Sequence, residues 1–262
     1  MPISDINGIK MYYEMQGQGE PLLLLHGLGS SSIDWEMQIP FLAQHFRVIV
    51  PDLRGHGKSE KPYQKYSVPL FADDVWALLK HLQIEKVHIV GLSMGGMIAF
   101  QMAADQPEKL QAMVILNSAP QLKIKTLKHY ALLWQRKILM QLFGLKTLSK
   151  VLAKRLFPKP EQQPLRDLFY QRWIQNDKKA YYQAFLAIVN WGVEEKIAQM
   201  QTPTLILAAD RDYTPVEFKQ EYAKQMPNAQ LQVIKDSGHA TPMDQPEQLN
   251  QAILLFLKNH SS

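Results

Sequence analysis

Three features of this 262-residue chain predict an α/β architecture, a parallel sheet covered by helices on both faces. Short apolar runs alternate with helix-spaced patterns along most of its length. Several of the runs are apolar at every position, as strands buried on both faces are. The alternation stops once, in a long stretch that reads as helix only. At 46% hydrophobic, the composition is that of an ordinary globular chain able to bury one large core.

In chain order, "GIKMYYEMQGQGEPLLLLHG" reads as a strand, a Gly-rich turn and a fully apolar strand from Leu22 to Leu25. Further strands follow at "FRVIVPDL", "KVHIVGLS", "QAMVILNSA", "PTLILAAD" and "AQLQVIKD". Helical patterns separate them at "VPLFADDVWALLKHLQ", "MGGMIAFQMAADQ" and "VEFKQEYAKQM", and "PEQLNQAILLFLKNH" closes the chain. The interruption runs from Gln121 to Met200, where "LKHYALLWQRKILMQLFGLKTLSKVLAKRLF" and "LRDLFYQRWIQNDKKAYYQAFLAIV" carry no strand pattern. Two units follow: a core from residues 1–120 and 201–262, and a helical cap inserted at 121–200. No internal repeat or low-complexity tract is present.

Charge marks the same division. The formal total is +5, but Gln121 to Tyr170 holds eleven Lys/Arg against Glu161 and Asp167, which leaves that segment at +9 and the rest of the chain at −4. The chain has no cysteine, so a disulfide, a thiol nucleophile and a thiolate metal site are all excluded. No apolar run approaches the roughly 18 residues of a membrane span, and "MPISDINGIK" lacks the pattern of a signal peptide, so a cytoplasmic location is expected.

The chemistry concentrates at strand ends. Gly91-Leu92-Ser93-Met94-Gly95 fits G-x-S-x-G between a strand and a helix, where glycines relieve the crowding of a sharp turn and the helix N-terminus favours negative charge. The plainer reading is a tight turn with an N-capping serine. A serine nucleophile needs a base and an acid. Of the eight histidines, His239 lies in a Ser237-Gly238 loop between the last strand and the last helix, on the sheet edge where α/β chemistry gathers. For the acid, "PTLILAADRDYTP" offers Asp212, with Asp210 as the alternative, while Asn117 leaves no carboxylate at the end of the preceding strand. Ser, Asp, His is one of the chain orders in which this triad occurs. An oxyanion needs two donors, and the loop His26-Gly27-Leu28-Gly29 can supply the N–H of Leu28 to act with the N–H of Met94.

The ordered set "LLLLHGLGSSSIDW", "VIVPDLRGHGKS", "IVGLSMGG", "PTLILAADRDYTP" and "IKDSGHATPMDQPEQL" resembles the α/β-hydrolase superfamily over about residues 8–120 and 200–258. The resemblance implies a mostly parallel eight-stranded sheet flanked by helices, with a helical cap inserted after the sixth strand. It further implies nucleophile Ser93, base His239, acid Asp212, and oxyanion donors Leu28 and Met94. Relatives usually carry glycine where Ala209 stands, which keeps Asp210 open as the acid. No cofactor or metal is implied.

Ser93 separates the chain from relatives that cleave carbon–halogen bonds or epoxides with an aspartate. "GLSMGG" is shared by carboxylesterases, enol-lactonases, perhydrolase-like members and monoacylglycerol lipases. The expectation is a serine esterase acting on a small-molecule ester, with a lactonase of the 3-oxoadipate enol-lactonase kind or a monoacylglycerol lipase-like activity as alternatives. A non-catalytic ligand-binding member of the fold is the alternative from a different class, and such members commonly lack a triad residue. Trp35 and Trp191 are candidates for the acyl pocket, against the more ordinary role of core packing.

In the insertion, Leu127, Tyr130, Ala131, Trp134, Ile138 and Leu142 recur at helical spacing. They read first as the face of a cap helix that covers the site. A second reading lays this basic segment weakly on an anionic membrane or lets it receive acidic or lipid-like substrates. No nucleic-acid-binding module is present, and no nucleic-acid partner is expected.

Overall fold

The computed structural model describes residues 2–122 and 127–261, and the side chains of Lys128, His129, Leu132 and Gln141 lie outside that description. Two of the basic residues counted above, Lys123 and Lys125, also fall outside it.

The chain opens with a hairpin, β1 (Ile3–Ile6) and β2 (Ile9–Gln16), joined through Asn7 and Gly8 at φ of 47° and 77°. Positive φ at both positions is what an Asn-Gly hairpin turn requires. The strand-by-strand reading of the sequence has no counterpart to β1, because four residues with one buried side chain carry little apolar signal.

After β3 (Pro21–Leu25) come the short α1 (Ile39–Leu42), β4 (Arg47–Pro51), α2 (Val68–His81), β5 (Val87–Leu92), α3 (Met94–Asp105) and β6 (Leu110–Leu116). Helices alone are found between β6 and the next sheet strand among the described residues: α4 (Leu127–Leu156), α5 (Gln163–Trp173) and α6 (Lys178–Ile188), besides short 3-10 turns. The core resumes with β7 (Thr204–Ala209), α7 (Val216–Ala223), β8 (Ala229–Ile234), the single turn α8 (Thr241–Asp244) and α9 (Pro246–Lys258).

The eight strands form one sheet in the order β1-β2-β4-β3-β5-β6-β7-β8. β2 runs antiparallel to both its neighbours, and from β4 to β8 the pairing is parallel. Both faces of the central strands are buried, in two separate clusters. Leu23, Leu25, Ile89, Ile115 and Ile206 pack with Phe71, Val75, Ile98 and Phe100 of α2 and α3. Leu22, Leu24, Val90, Leu92, Val114 and Leu207 pack on the other face with Trp35, Leu42, Leu249 and Ile253. Consecutive residues serve opposite faces, and for that reason the strands read as unbroken apolar runs.

The helical segment leaves and returns at one place. Gln121 bridges Gly192, Leu122 N–H donates to Trp191 O at 2.8 Å, and Asn190 N–H donates to Leu122 O at 2.9 Å. Ion pairs from Lys159 to Asp236 and from Arg172 to Glu36, each 2.6 Å, tie the segment to the core.

Inside α4, Gly144 has φ 72° and ψ −178°, which divides the helix into residues 127–143 and 145–156. The second part carries Leu145, Leu148, Ala153 and Leu156 into a third cluster with Phe157, Phe169, Trp173 and Tyr181, and Leu28, Ala240 and Met243 pack against it. The first part overturns an expectation. Its apolar stripe was read as a cover for the site, yet Leu127 is 88% exposed, Trp134 60% and Leu142 73%, and Tyr130, Ala131 and Ile138 are exposed with them. The side turned inward is a different one, with Met140 buried and Leu133, Arg136 and Leu139 half-buried. Periodicity marks this face as apolar but not what it meets. The cover over the strand ends comes instead from beyond Gly144.

Candidate active site

β5 passes into α3 with Ser93 as the only residue between them. Ser93 has φ 52° and ψ −113°, a conformation that non-glycine residues adopt only when the surroundings enforce it, at about 1–3 kcal/mol. The enforcement is visible. A Cβ on Gly91 would lie 2.4 Å from Gly95 O, and one on Gly95 would lie 2.1 Å from Leu25 O, so only glycine fits at either position. Ser93 N–H donates to Leu116 O at 2.9 Å, and Ser118 Oγ donates to Ser93 O at 2.6 Å. The Ser93 side chain makes no helix-capping bond, which removes the plainer reading of an N-cap and leaves the hydroxyl half-buried and turned outward.

His239 follows β8 in a loop held at several points. Ser237 Oγ and Gly238 N–H donate to the Asp244 carboxylate at 2.7 and 2.6 Å, and Asn117 Nδ2 donates to His239 O at 3.1 Å and to Thr241 Oγ1 at 2.9 Å. Asn117 Oδ1 accepts from Ala209 N–H at 2.8 Å, so this one amide ties the histidine loop to the end of β7. The sequence marked Asn117 only as a missing carboxylate.

His239 Nδ1 donates to Asp212 Oδ1 at 2.8 Å. Asp210 is elsewhere, accepting from Asp236 N–H at 2.9 Å and Ser237 N–H at 3.0 Å as a turn residue. Asp212 Oδ2 accepts from the Thr214 hydroxyl and, at 2.7 Å, from Lys219 Nζ, whose side chain is entirely buried, as is that of Asp212. Burial by itself raises the Asp212 carboxyl. The charges and hydrogen bonds of His239 and Lys219 outweigh it and hold the group well below the usual carboxylate range. Lys219 is pushed down by burial and upheld by Asp212. Its ammonium also donates to Thr214 O at 2.8 Å, so all three of its donors have partners.

With Nδ1–H committed to Asp212, His239 Nε2 carries the lone pair. It accepts from the Tyr213 hydroxyl at 2.7 Å, and the two rings lie 4.2 Å apart between centroids. The Ser93 side chain is a further partner of that hydroxyl and lowers its phenol slightly. Although 49% of Tyr213 is exposed, burial of the hydroxyl end and then the charge of Asp212 hold its phenol above its ordinary range, so it stays neutral. On its outer side the Arg155 guanidinium lies 4.9 Å from the ring centroid. Neither Tyr213 nor Lys219 was marked by the sequence, where they read as a turn tyrosine and one lysine of a mixed helix.

Beside Ser93 lies the loop after β3. A Cβ on Gly27 would sit 3.5 Å from Ser93 Cβ, and Leu28 is half-buried there. No acceptor for Leu28 N–H occurs among the loop hydrogen bonds, and Met94 N–H opens α3, where a helix provides no internal acceptor. His26 Nδ1 donates to Gly27 O at 2.8 Å, and its Nε2 accepts from Leu53 N–H at 3.0 Å, which fixes the neutral tautomer under this loop. Burial lowers His26 to about 4, and burial together with neighbouring His26 lowers His56 to about 3. Trp173 of α5 closes the loop from above, since a Cβ on Gly29 would lie 2.5 Å from its ring.

The two tryptophans are not part of this arrangement. Trp35 is fully buried in the cluster on the far face of the sheet, and Trp191 packs in the α2/α3 cluster with its Nε1 donating to Gln101 at 2.9 Å. Both are core residues. No group of three or more His, Asp or Glu among the described residues could hold a metal ion.

The structure thus sets a serine on a strained turn at a helix N-terminus, and a histidine bonded to a buried carboxylate, at the ends of the parallel strands. The family model described as the α/β hydrolase fold matches residues 20–246. The chain belongs to the α/β-hydrolase family. It is 29% identical, over 95% of its length, to the dihydrolipoyllysine-residue acetyltransferase component of the acetoin cleaving system of Pseudomonas putida, and it spans 66% of that longer protein. A thermophilic esterase from Thermogutta terrifontis, solved with malate bound, superposes with a TM-score of 0.89 at 28% identity, covering 97% of this chain and 95% of the esterase. An N-acyl homoserine lactone degrading enzyme superposes with a TM-score of 0.86 at 30% identity, covering 97% and 100% of the two chains.

Proposed function

We infer that this hydrolase cleaves carboxylic esters through an acyl-enzyme on Ser93, with His239 as base and Asp212 as the acid that orients it. The observation that carries the reading is the 2.8 Å bond from His239 Nδ1 to a fully buried Asp212. His239 takes the Ser93 proton at Nε2 as Oγ attacks the ester carbonyl, and the Leu28 and Met94 N–H groups receive the oxyanion. Protonated His239, paired with Asp212, then gives that proton to the leaving alcohol. Water, deprotonated by His239, attacks the acyl-enzyme and restores Ser93.

Tyr213 must turn aside for the first step, because its hydroxyl occupies Nε2. The half-exposed ring leaves it room to do so. The segment at 121–200 acts as a cap over these groups, with Trp173 and the cluster around it forming the roof.

A lactonase is the second reading, favoured by the 30% identical structural relative described as degrading N-acyl homoserine lactones. It uses the same residues, the leaving alcohol remaining tethered to the acyl group. A panel of p-nitrophenyl esters of rising acyl length, with simple lactones included, tests both on wild type and Ser93→Ala. Wild-type hydrolysis of esters, lost by at least about a thousandfold in Ser93→Ala with the fold intact, is expected. Turnover of lactones alone would select the second reading, and equal turnover by Ser93→Ala would refute both.

A further inference from the structure

The first part of α4 presents an apolar face to solvent. Leu127, Tyr130, Ala131, Trp134, Ile138 and Leu142 follow one another at intervals of one to four residues and lie together on one side of the helix, and Phe143 is also exposed. The opposite side, through Met140 and through Arg136 bonded to the buried Tyr181 hydroxyl at 3.0 Å, fastens the helix to α6. The exposed stripe is thus a second apolar face that no described residue covers. Monomers in water rarely present so long a continuous apolar strip without a surface to meet it.

The charge of the segment says which surface. Residues 121–160 carry ten Lys/Arg and no Asp or Glu, although Arg136, Arg155 and Lys159 are engaged away from the strip, by Tyr181, the Tyr213 ring and Asp236. Lys137 extends over the Trp134 ring at 5.7 Å, its ammonium at the margin of the strip, and no carboxylate among the described residues pairs with Lys137, Lys146 or Lys150. Apolar and aromatic side chains flanked by cations are the make-up of a helix that lies in an anionic lipid interface, with rings in the acyl boundary and ammonium groups among the phosphates. A second copy of this chain is the poorer occupant, because two such faces would bring like charges together. No helix among the described residues is long and apolar enough to cross a membrane, so the contact is one of lying on the surface.

We propose that residues 127–143 dock this hydrolase on an anionic lipid surface through Leu127, Trp134, Ile138 and Leu142, with the flanking lysines drawing it there.

The test uses the full chain with phosphatidylcholine vesicles, with and without phosphatidylglycerol, at low and high salt. Cosedimentation with the phosphatidylglycerol vesicles should exceed that with phosphatidylcholine by about tenfold at low salt and fall at high salt. Trp134→Glu combined with Leu142→Glu alters only exposed side chains, should keep the thermal midpoint, and should lower vesicle partitioning by about tenfold. Absence of cosedimentation at low salt, or partitioning that survives both substitutions in a folded variant, would overturn the proposal. So would a concentration-dependent dimer in lipid-free sedimentation velocity that the same substitutions abolish, for it would assign the strip to a second copy.

Discussion

Ser93 and Gly144 both hold φ in the left-handed region, at 52° and 72°, and their surroundings are opposite. Around Ser93 the backbone of three strands and a helix closes in, and a single added carbon on either flanking glycine would strike a carbonyl or a peptide carbon within 2.6 Å. Around Gly144 a Cβ would meet nothing within 4 Å among the described residues. The first irregularity is imposed by packing and is repaid by a hydroxyl in one fixed place. The second is a local property of the chain, and it lets α4 divide into a part that packs with Phe157, Phe169 and Trp173 and a part with an apolar face in solvent. The proposed nucleophile sits where conformation is over-determined, and the proposed docking surface begins where it is not.

The sharpest way to break that contrast is to add one methyl group on each side of it. Gly95→Ala should leave no stably folded, active protein, since the new Cβ at 2.1 Å from Leu25 O displaces either β3 or α3. Circular dichroism and ester turnover read this directly, and a well-folded, active Gly95→Ala variant would show that the elbow is not over-determined.

Lys219→Met comes next. It removes the cation from a pair whose two side chains are fully buried and leaves Asp212 uncompensated, so urea unfolding should show a loss of about 3 kcal/mol. A loss below about 1 kcal/mol would mean that Asp212 is solvated or neutral instead.

Acidification tests the same region without mutation. Above about pH 6.5 His26 and His56 are neutral in both folded and unfolded chains, so neither affects the balance. As pH falls below that value the unfolded chain takes up protons that the buried imidazoles refuse, until about pH 4 for His26 and about 3 for His56. Stability should therefore fall between pH 6.5 and 5.5 by about 1 kcal/mol for each histidine. A flat profile in urea titrations over that interval would contradict their burial as neutral groups.

Gly144→Ala should have a far smaller effect than Gly95→Ala. The side chain has space among the described residues, so only the backbone conformation, φ 72° with ψ −178°, opposes it, at about 1–3 kcal/mol. A collapse comparable to that of Gly95→Ala would erase the distinction between the two bends.

What the sequence made legible follows the same line. The strand–serine–helix junction could be read because its geometry depends on five adjacent residues, and the strand runs because burial on two faces leaves a continuous apolar record. Asp210 and Asp212 could not be separated, since the direction of a side chain beyond a strand end depends on the turn that follows, here fixed by Asp210 accepting from Asp236 and Ser237. Asn117, Tyr213 and Lys219 were invisible as participants. Each acts through a partner 7 to 122 residues away, or through a neighbour that only the turn at Thr214 brings round, and no local pattern encodes such pairings. The stripe on α4 and the two tryptophans share one lesson. Spacing and residue type show that a side chain seeks apolar surroundings, and tertiary packing alone decides whether these are the core, the site or the outside.

Acylation of Ser93 is read by a fluorophosphonate probe followed by intact mass and peptide mapping. One adduct per chain is expected, on Ser93, lost in Ser93→Ala and slowed in Asp212→Asn. No adduct, or one on any other residue in the folded protein, would contradict it.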